Sequence, residues 1–99
     1  MTQHNTENED NNKHIKVSVR YIGSTEPYNH NYLPENTILM VKENAMSKFT
    51  INSPPDKYYL QYQDTILNDN LTLIQAGFQS NHERITLELN VRDDQDTDG

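Results

Sequence analysis

Cysteine is absent from this chain. That excludes disulfides, thiolate metal sites and a thiol nucleophile. Basic residues are scarce: eight Lys and Arg stand against 15 Asp and Glu, a net charge of -7. Phosphate recognition needs clustered Lys and Arg, so neither nucleic acid nor an anionic membrane is expected as the main partner. A basic patch on an adaptor or enzyme suits this charge better. No apolar run approaches the length that spans a bilayer. The N-terminus lacks a basic region followed by an apolar stretch, so it does not read as a signal peptide, and the cytoplasm is the expected location. Apolar residues are also few, 32% of the chain, with a mean hydropathy of -0.98.

Those apolar residues are clustered. Residues 1–13 (MTQHNTENEDNNK) and 93–99 (DDQDTDG) are almost purely polar. The first segment cannot bury enough apolar surface to offset its ordering entropy, so it is expected to be a disordered, solubilising tail. The second is expected to be a flexible acidic tail. Between them, residues 14–92 form one small domain, near the lower size limit for a core without staples.

Within that domain the pattern alternates, turns helical, then alternates again. His14 to Ile22 places Ile15, Val17, Val19 and Tyr21 on one face and Lys16, Ser18 and Arg20 on the other, as a half-buried strand does. Gly23-Ser24-Thr25 is a turn. Glu26 to Leu33 predicts a second strand, with Tyr28, His30 and Tyr32 on one face and Pro27 at its start, where a missing N–H is tolerated. Asn36 or Thr37 is the expected cap of a helix over ILMVKENAMSKFTI. Ile38, Val41, Ala45 and Phe49 form its stripe, flanked by Leu39 and Met46, with Lys42, Glu43, Asn44 and Lys48 elsewhere on its surface. Asn52-Ser53-Pro54-Pro55-Asp56 is the expected stop. Tyr58, Leu60 and Tyr62 then alternate with Tyr59, Gln61 and Gln63. Asp64-Thr65 turns into a short strand at Ile66-Leu67, and Asn68-Asp69-Asn70 is a polar turn. Leu71 to Ala76 fits one helical turn with Gly77 as its stop. Phe78 is an anchor, and Asn81–Arg84 is a polar loop. Ile85, Leu87, Leu89 and Val91 face inward from the last strand. The most apolar strands are the first and last, which suits a central parallel pair.

The stretches YLQYQDTILNDNLTLIQAGF and ITLELNVR resemble the C-terminal half of ubiquitin. Leu60, Leu67, Leu73, Phe78, Ile85 and Leu87 fall at ubiquitin's core positions, and the resemblance covers about residues 14–92. It implies an α+β fold of the β-grasp type, a mixed sheet of four to five strands with one main helix across one face.

The resemblance also implies a role. Members of the ubiquitin family are protein modifiers, not enzymes. An adenylating enzyme activates the C-terminal glycine with ATP, a cysteine takes it as a thioester, and an amine of a target receives it. Gly99 would be that glycine. Lacking Cβ, glycine lets an extended tail thread a narrow channel. The implied partners are adenylating and conjugating enzymes, a deconjugating protease and target proteins, with the modifier itself a monomer. Three features differ from ubiquitin. The ending is Asp98-Gly99 behind Asp93, Asp94 and Asp96, in place of a double glycine behind basic residues, so these aspartates would need a positively charged channel. The positions aligned with ubiquitin's hydrophobic recognition patch carry Gln61 and Glu88, so domains that read that patch are not expected to bind. One residue is inserted in the Ser80–Arg84 loop. These differences suit a divergent, bacterial type of ubiquitin-like protein. A non-conjugated adaptor module of the bacterial secretion-system kind is the second expectation, and a sulfur carrier with a terminal thiocarboxylate the third.

Remaining signals have simpler readings. His4, His14, His30 and His82 match no metal-ligand spacing. The aspartates after Arg92 lack the glycine and closing glutamate of a calcium loop. No Ser, His and carboxylate set is arranged for nucleophilic work, and no cofactor is implied. Tyr21, Tyr58 and Tyr62 are expected in the core. Tyr28, Tyr32 and Tyr59 are candidates for the sheet's exposed face, where a partner surface competes with cross-strand packing. Tyr59, Gln61 and Glu88 make up the candidate partner surface. Lys16, Lys42, Lys48 and Lys57 are candidate acceptors of a second modifier.

Overall fold

A computed structural model describes residues 14–79 and 83–92. The N-terminal segment, most of the Ser80–Arg84 loop and the acidic segment after Arg92 lie outside the described residues.

Strands β1 (Ile15–Tyr21), β2 (Tyr28–Tyr32), β3 (Tyr58–Tyr62), β4 (Thr65–Ile66) and β5 (Ile85–Val91) form one sheet in the order β2-β1-β5-β3-β4. β1 and β5 are the parallel pair at its centre, with Val17 level with Ile85 and Val19 with Leu87. The other pairings are antiparallel. Helix α1 (Ile38–Lys48) lies over one face. The expected succession of strands and helix along the chain and the central parallel pair are both present.

Alternation decides what is buried. Ile15, Val17 and Val19 of β1, Leu60 of β3 and Leu87 and Leu89 of β5 are shielded from solvent, and they meet Ile38, Val41 and Ala45 of α1. Tyr21 packs on Phe49 with ring centroids 5.2 Å apart and meets Tyr58 edge-on at 6.4 Å, closing one end of the core. A side chain at Gly23 would place Cβ 2.7 Å from the Tyr21 ring, so the turn needs glycine there to let that ring lie over it. Tyr62 and Phe78, edge-on at 5.0 Å, close another side.

The helix start is tied to the segment after β4. Thr37 is the N-cap and its Oγ1 accepts from the Met40 N–H at 3.1 Å. The Ile38 and Leu39 N–H groups donate to the carbonyls of Leu71 and Asp69. The first N–H groups of a helix have no partner within it, and here the neighbouring loop supplies acceptors. In return the Leu73 N–H donates to the Asn36 carbonyl and the Ile74 N–H to that of Pro34.

Four expectations are corrected. Lys42 is not on the helix surface: it is 0% exposed. Its place on the helix explains why, because it sits one turn after Ile38 on the stripe that faces the sheet. Tyr28 and Tyr32 are not on the outward face. The register sets them level with Val19 and Ile15, on the helix side, and Tyr32 is buried. Val91 does not reach the core. It is 53% exposed because β1 ends level with Leu89 and leaves Val91 without a neighbour on that side. The helix stops before the double proline, at Phe49, with Thr50 in the left-handed region at φ 60. The Ile51 N–H donates to the Met46 carbonyl and the Thr50 N–H to that of Ser47, which is the Schellman pattern.

Candidate functional site

The outward sheet face follows from the same alternation that builds the core. Residues between the buried ones point away from α1: Lys16 and Arg20 on β1, Thr86, Glu88 and Asn90 on β5, Tyr59 and Gln61 on β3. The structure brings the three candidate surface residues together there. Gln61 is directly opposite Glu88 and Tyr59 directly opposite Asn90. Arg20 lies level with Glu88 on its other side.

Polar contacts order this face. Asn90 Nδ2 approaches Gln61 Oε1 at 3.4 Å. Gln61 Nε2 donates to the Gln63 carbonyl at 2.6 Å, across the turn where Gln63 takes φ 54. The Arg92 guanidinium stands over the Tyr59 ring, 5.4 Å from its centroid, within cation–π range. The Arg92 N–H donates to the Lys57 carbonyl, so the last described residue extends the β3–β5 ladder. Ile66, level with Gln61, is 55% exposed and brings an apolar group to the edge. Beside Glu88, a groove of about 570 Å³ runs under the β1–β2 turn between Arg20, Glu26 and Asn90, with Ile22 at its rim. This face can dock a polar or charged segment. Its Gln61–Glu88 pair offers no apolar platform.

Other candidates divide. Lys16, Lys48 and Lys57 are exposed amines. Lys42 is withdrawn as an acceptor: its Nζ donates to Asp69 Oδ2 at 2.6 Å and to the Tyr58 carbonyl at 3.0 Å inside the fold. Gly99 and the tail aspartates Asp93, Asp94, Asp96 and Asp98 lie outside the described residues. Among the described residues no three His, Asp or Glu side chains come together to hold a metal ion.

Two contacts were not foreseen. One is the Lys42–Asp69 pair, whose signal in the sequence was the helical spacing from Ile38 to Lys42. The other is a part-buried phenol pair: Tyr28 and Tyr32 share a hydrogen bond of 2.8 Å between hydroxyls, and Asn44 Nδ2 donates to Tyr32 at 3.0 Å. Burial, with the bond to Tyr28 adding to it, pushes the Tyr32 phenol well above its ordinary range, against a smaller opposing effect from Asn44. Tyr21 shifts in the same direction, chiefly through its hydrogen bond with the Tyr58 phenol.

No family model matches this chain, and no curated protein matches it. Solved structures do. A ubiquitin of Caldiarchaeum subterraneum aligns with a TM-score of 0.66 at 24% identity, over 80% of this chain and 94% of that one. The chain has the ubiquitin-like β-grasp fold. A designed protein based on ubiquitin matches this ubiquitin-like domain with a TM-score of 0.65 at 20% identity, over 82% and 92% of the two chains. The C-terminal ubiquitin-like domain of the human 2'-5'-oligoadenylate synthetase-like protein matches with a TM-score of 0.64 at 25% identity, over 82% and 86%. The ubiquitin-like domain therefore takes up most of each matched structure.

Proposed function

We propose that this chain is a ubiquitin-like protein modifier whose Gly99 carboxylate is joined to amines of target proteins. The carboxylate attacks the α-phosphate of ATP and pyrophosphate leaves. A cysteine thiolate of the activating enzyme then displaces AMP to form a thioester. A target amine attacks the thioester carbonyl, releases the thiol and leaves an amide. The ubiquitin-like domain carries none of this chemistry: its part is to be recognised through its sheet and to deliver the carboxylate. One observation carries the reading. The sheet has β5 at its centre, and the fold aligns with a ubiquitin over 94% of that protein's length at a TM-score of 0.66.

The test is incubation with ATP and the adenylating and conjugating enzymes encoded beside its gene. Conjugates should form with the full chain and vanish when Gly99 is deleted. Conjugates that survive the deletion would end the proposal.

A second reading is a non-conjugated binding module, favoured by the ordered Arg92–Tyr59–Asn90–Gln61 array on the outward face. It predicts function unchanged when residues 93–99 are trimmed and lost in Tyr59→Ala.

A further inference from the structure

The chain's charge is unevenly placed. Of its 15 acidic side chains, Glu7, Glu9, Asp10, Asp93, Asp94, Asp96 and Asp98 lie outside the described domain, whereas of its eight basic ones only Lys13 does. The folded domain is thus close to neutral, and most of the negative charge sits in the terminal segments. The domain's own charges are also sorted. The outward sheet face carries Lys16, Arg20 and Arg92 against a single Glu88. Among the described residues no ion pair engages any of these three cations, and the guanidinium of Arg92 meets only the Tyr59 ring.

We propose that the acidic segment 93–98 docks in cis on this basic outward face, with its aspartates reaching back from Arg92 toward Arg20. The geometry allows it. Arg20 lies level with Glu88 on the adjacent strand, and Arg92 follows Glu88 by four residues along β5. Strand rise and spacing put the two Cα atoms about 14 Å apart. Six extended residues span roughly 20 Å, so Asp96 and Asp98 reach Arg20 and Asp93 and Asp94 remain beside Arg92 and Lys57. The N-terminal acidic residues are a poorer occupant: they are fewer and Lys13 stands between them and β1. Each contact is exposed and weak. The short tether compensates by holding the segment at millimolar effective concentration over the face. Docking is therefore partial, quickly reversible and removed by salt, because the contacts lie within a Debye length of solvent ions. A more basic partner channel would draw the segment away and uncover Tyr59, Gln61 and Glu88 in the same step. This holds whether or not Gly99 is ever conjugated.

The absence of native cysteine makes the test direct. A nitroxide on Thr97→Cys of the full chain is the only label, read out by amide relaxation. At roughly 20 mM salt, the Arg20, Gln61 and Glu88 amides should relax at least about twofold faster than Val41 and Asn44 on the helix side. The difference should disappear at about 0.5 M salt, in Arg20→Gln with Lys16→Gln, and when Asp93, Asp94, Asp96 and Asp98 are all Asn. Equal broadening on both sides of the domain would overturn the proposal, as would a bias that ignores salt and both sets of substitutions. Broadening that persists between isotope-labelled chains without nitroxide and unlabelled chains that carry it would assign the face to a second copy and overturn docking in cis.

Discussion

Lys42 shows how one side chain can join two parts of this fold. Its ammonium is fully enclosed, bonded to the Tyr58 carbonyl at the start of β3 and to Asp69 in the loop that holds the helix start. The two partners are unequal, because the Asp69 side chain keeps 26% of its exposure while Lys42 keeps none. Removing the carboxylate strands a charge in the core, whereas removing the amine leaves the carboxylate of the more exposed side chain, although its Oδ1 is itself shielded and without a partner among the described residues. Asp69→Ala should therefore cost about 3–5 kcal/mol, and Lys42→Met, which refills the volume with apolar atoms, less than half of that. Urea unfolding of the two variants measures both, and the reverse order would contradict this account. Tyr32 gives a second residue-scale expectation. Its phenol ionises above its ordinary value in the folded chain, so the unfolded chain gives up that proton first as pH rises. Stability is then intact below a pH of about 10 and falls as pH climbs from there toward the folded value. Tyr32→Phe should flatten that alkaline fall in the urea midpoint, at a cost near neutral pH of about 1 kcal/mol for the lost hydrogen bonds.

At the scale of elements, a helix and a turn end in the same way with different residues. The turn after Leu71 closes with the Phe78 N–H on the Leu73 carbonyl and the Gly77 N–H on that of Ile74, with Gly77 at φ 102. α1 closes with the same pair of bonds around Thr50 at φ 60. Glycine takes that backbone without strain, and a β-branched residue does not. Thr50→Gly should accordingly raise stability by about 1 kcal/mol despite glycine's entropy in the unfolded chain, seen as a higher melting temperature with the fold unchanged. The contrast also shows what could be read from sequence. Gly77 marked its stop openly. Thr50 did not, and the conspicuous double proline drew the expected stop several residues too late. Lys42 was hidden differently: the spacing placed it on the buried stripe, but its charge argued for the surface. Its partner Asp69 comes from a distant loop that no local pattern connects to it. Strand positions were the most legible, since alternation fixes inward and outward residues together. That sufficed to place Tyr59, Gln61 and Glu88 on one face. It failed at the sheet's ends, where Val91 continues the alternation past the edge of the core. On β2 the shared face of Tyr28 and Tyr32 was legible, but which side it faced depended on pairing with β1.

Across the whole molecule, stability should decrease from the sheet centre to its edges. β1 and β5 have strand neighbours on both sides, whereas β2 and β4 are edges and β4 spans only Thr65–Ile66. Native-state hydrogen exchange should find the Val19, Leu87 and Leu89 amides opening only with global unfolding, with those of β2 and β4 opening earlier at lower free energy. Edge amides that exchange as slowly as central ones would mean the sheet opens as a single unit.

The central position of β5 also bears on how the chain is made. β1 is the earliest described strand and β5 the latest, yet each is the other's neighbour in the middle of the sheet. As the polypeptide leaves the ribosome, β1, β2 and α1 emerge with one side of β1 unpaired and the inner face half covered. That nascent surface stays open until Ile85–Val91 has been synthesised, since no earlier strand can take its place. Folding of the sheet is thus postponed until β5 has been made, and any nascent chain halted before β5 would present an unfinished sheet to chaperones and proteases.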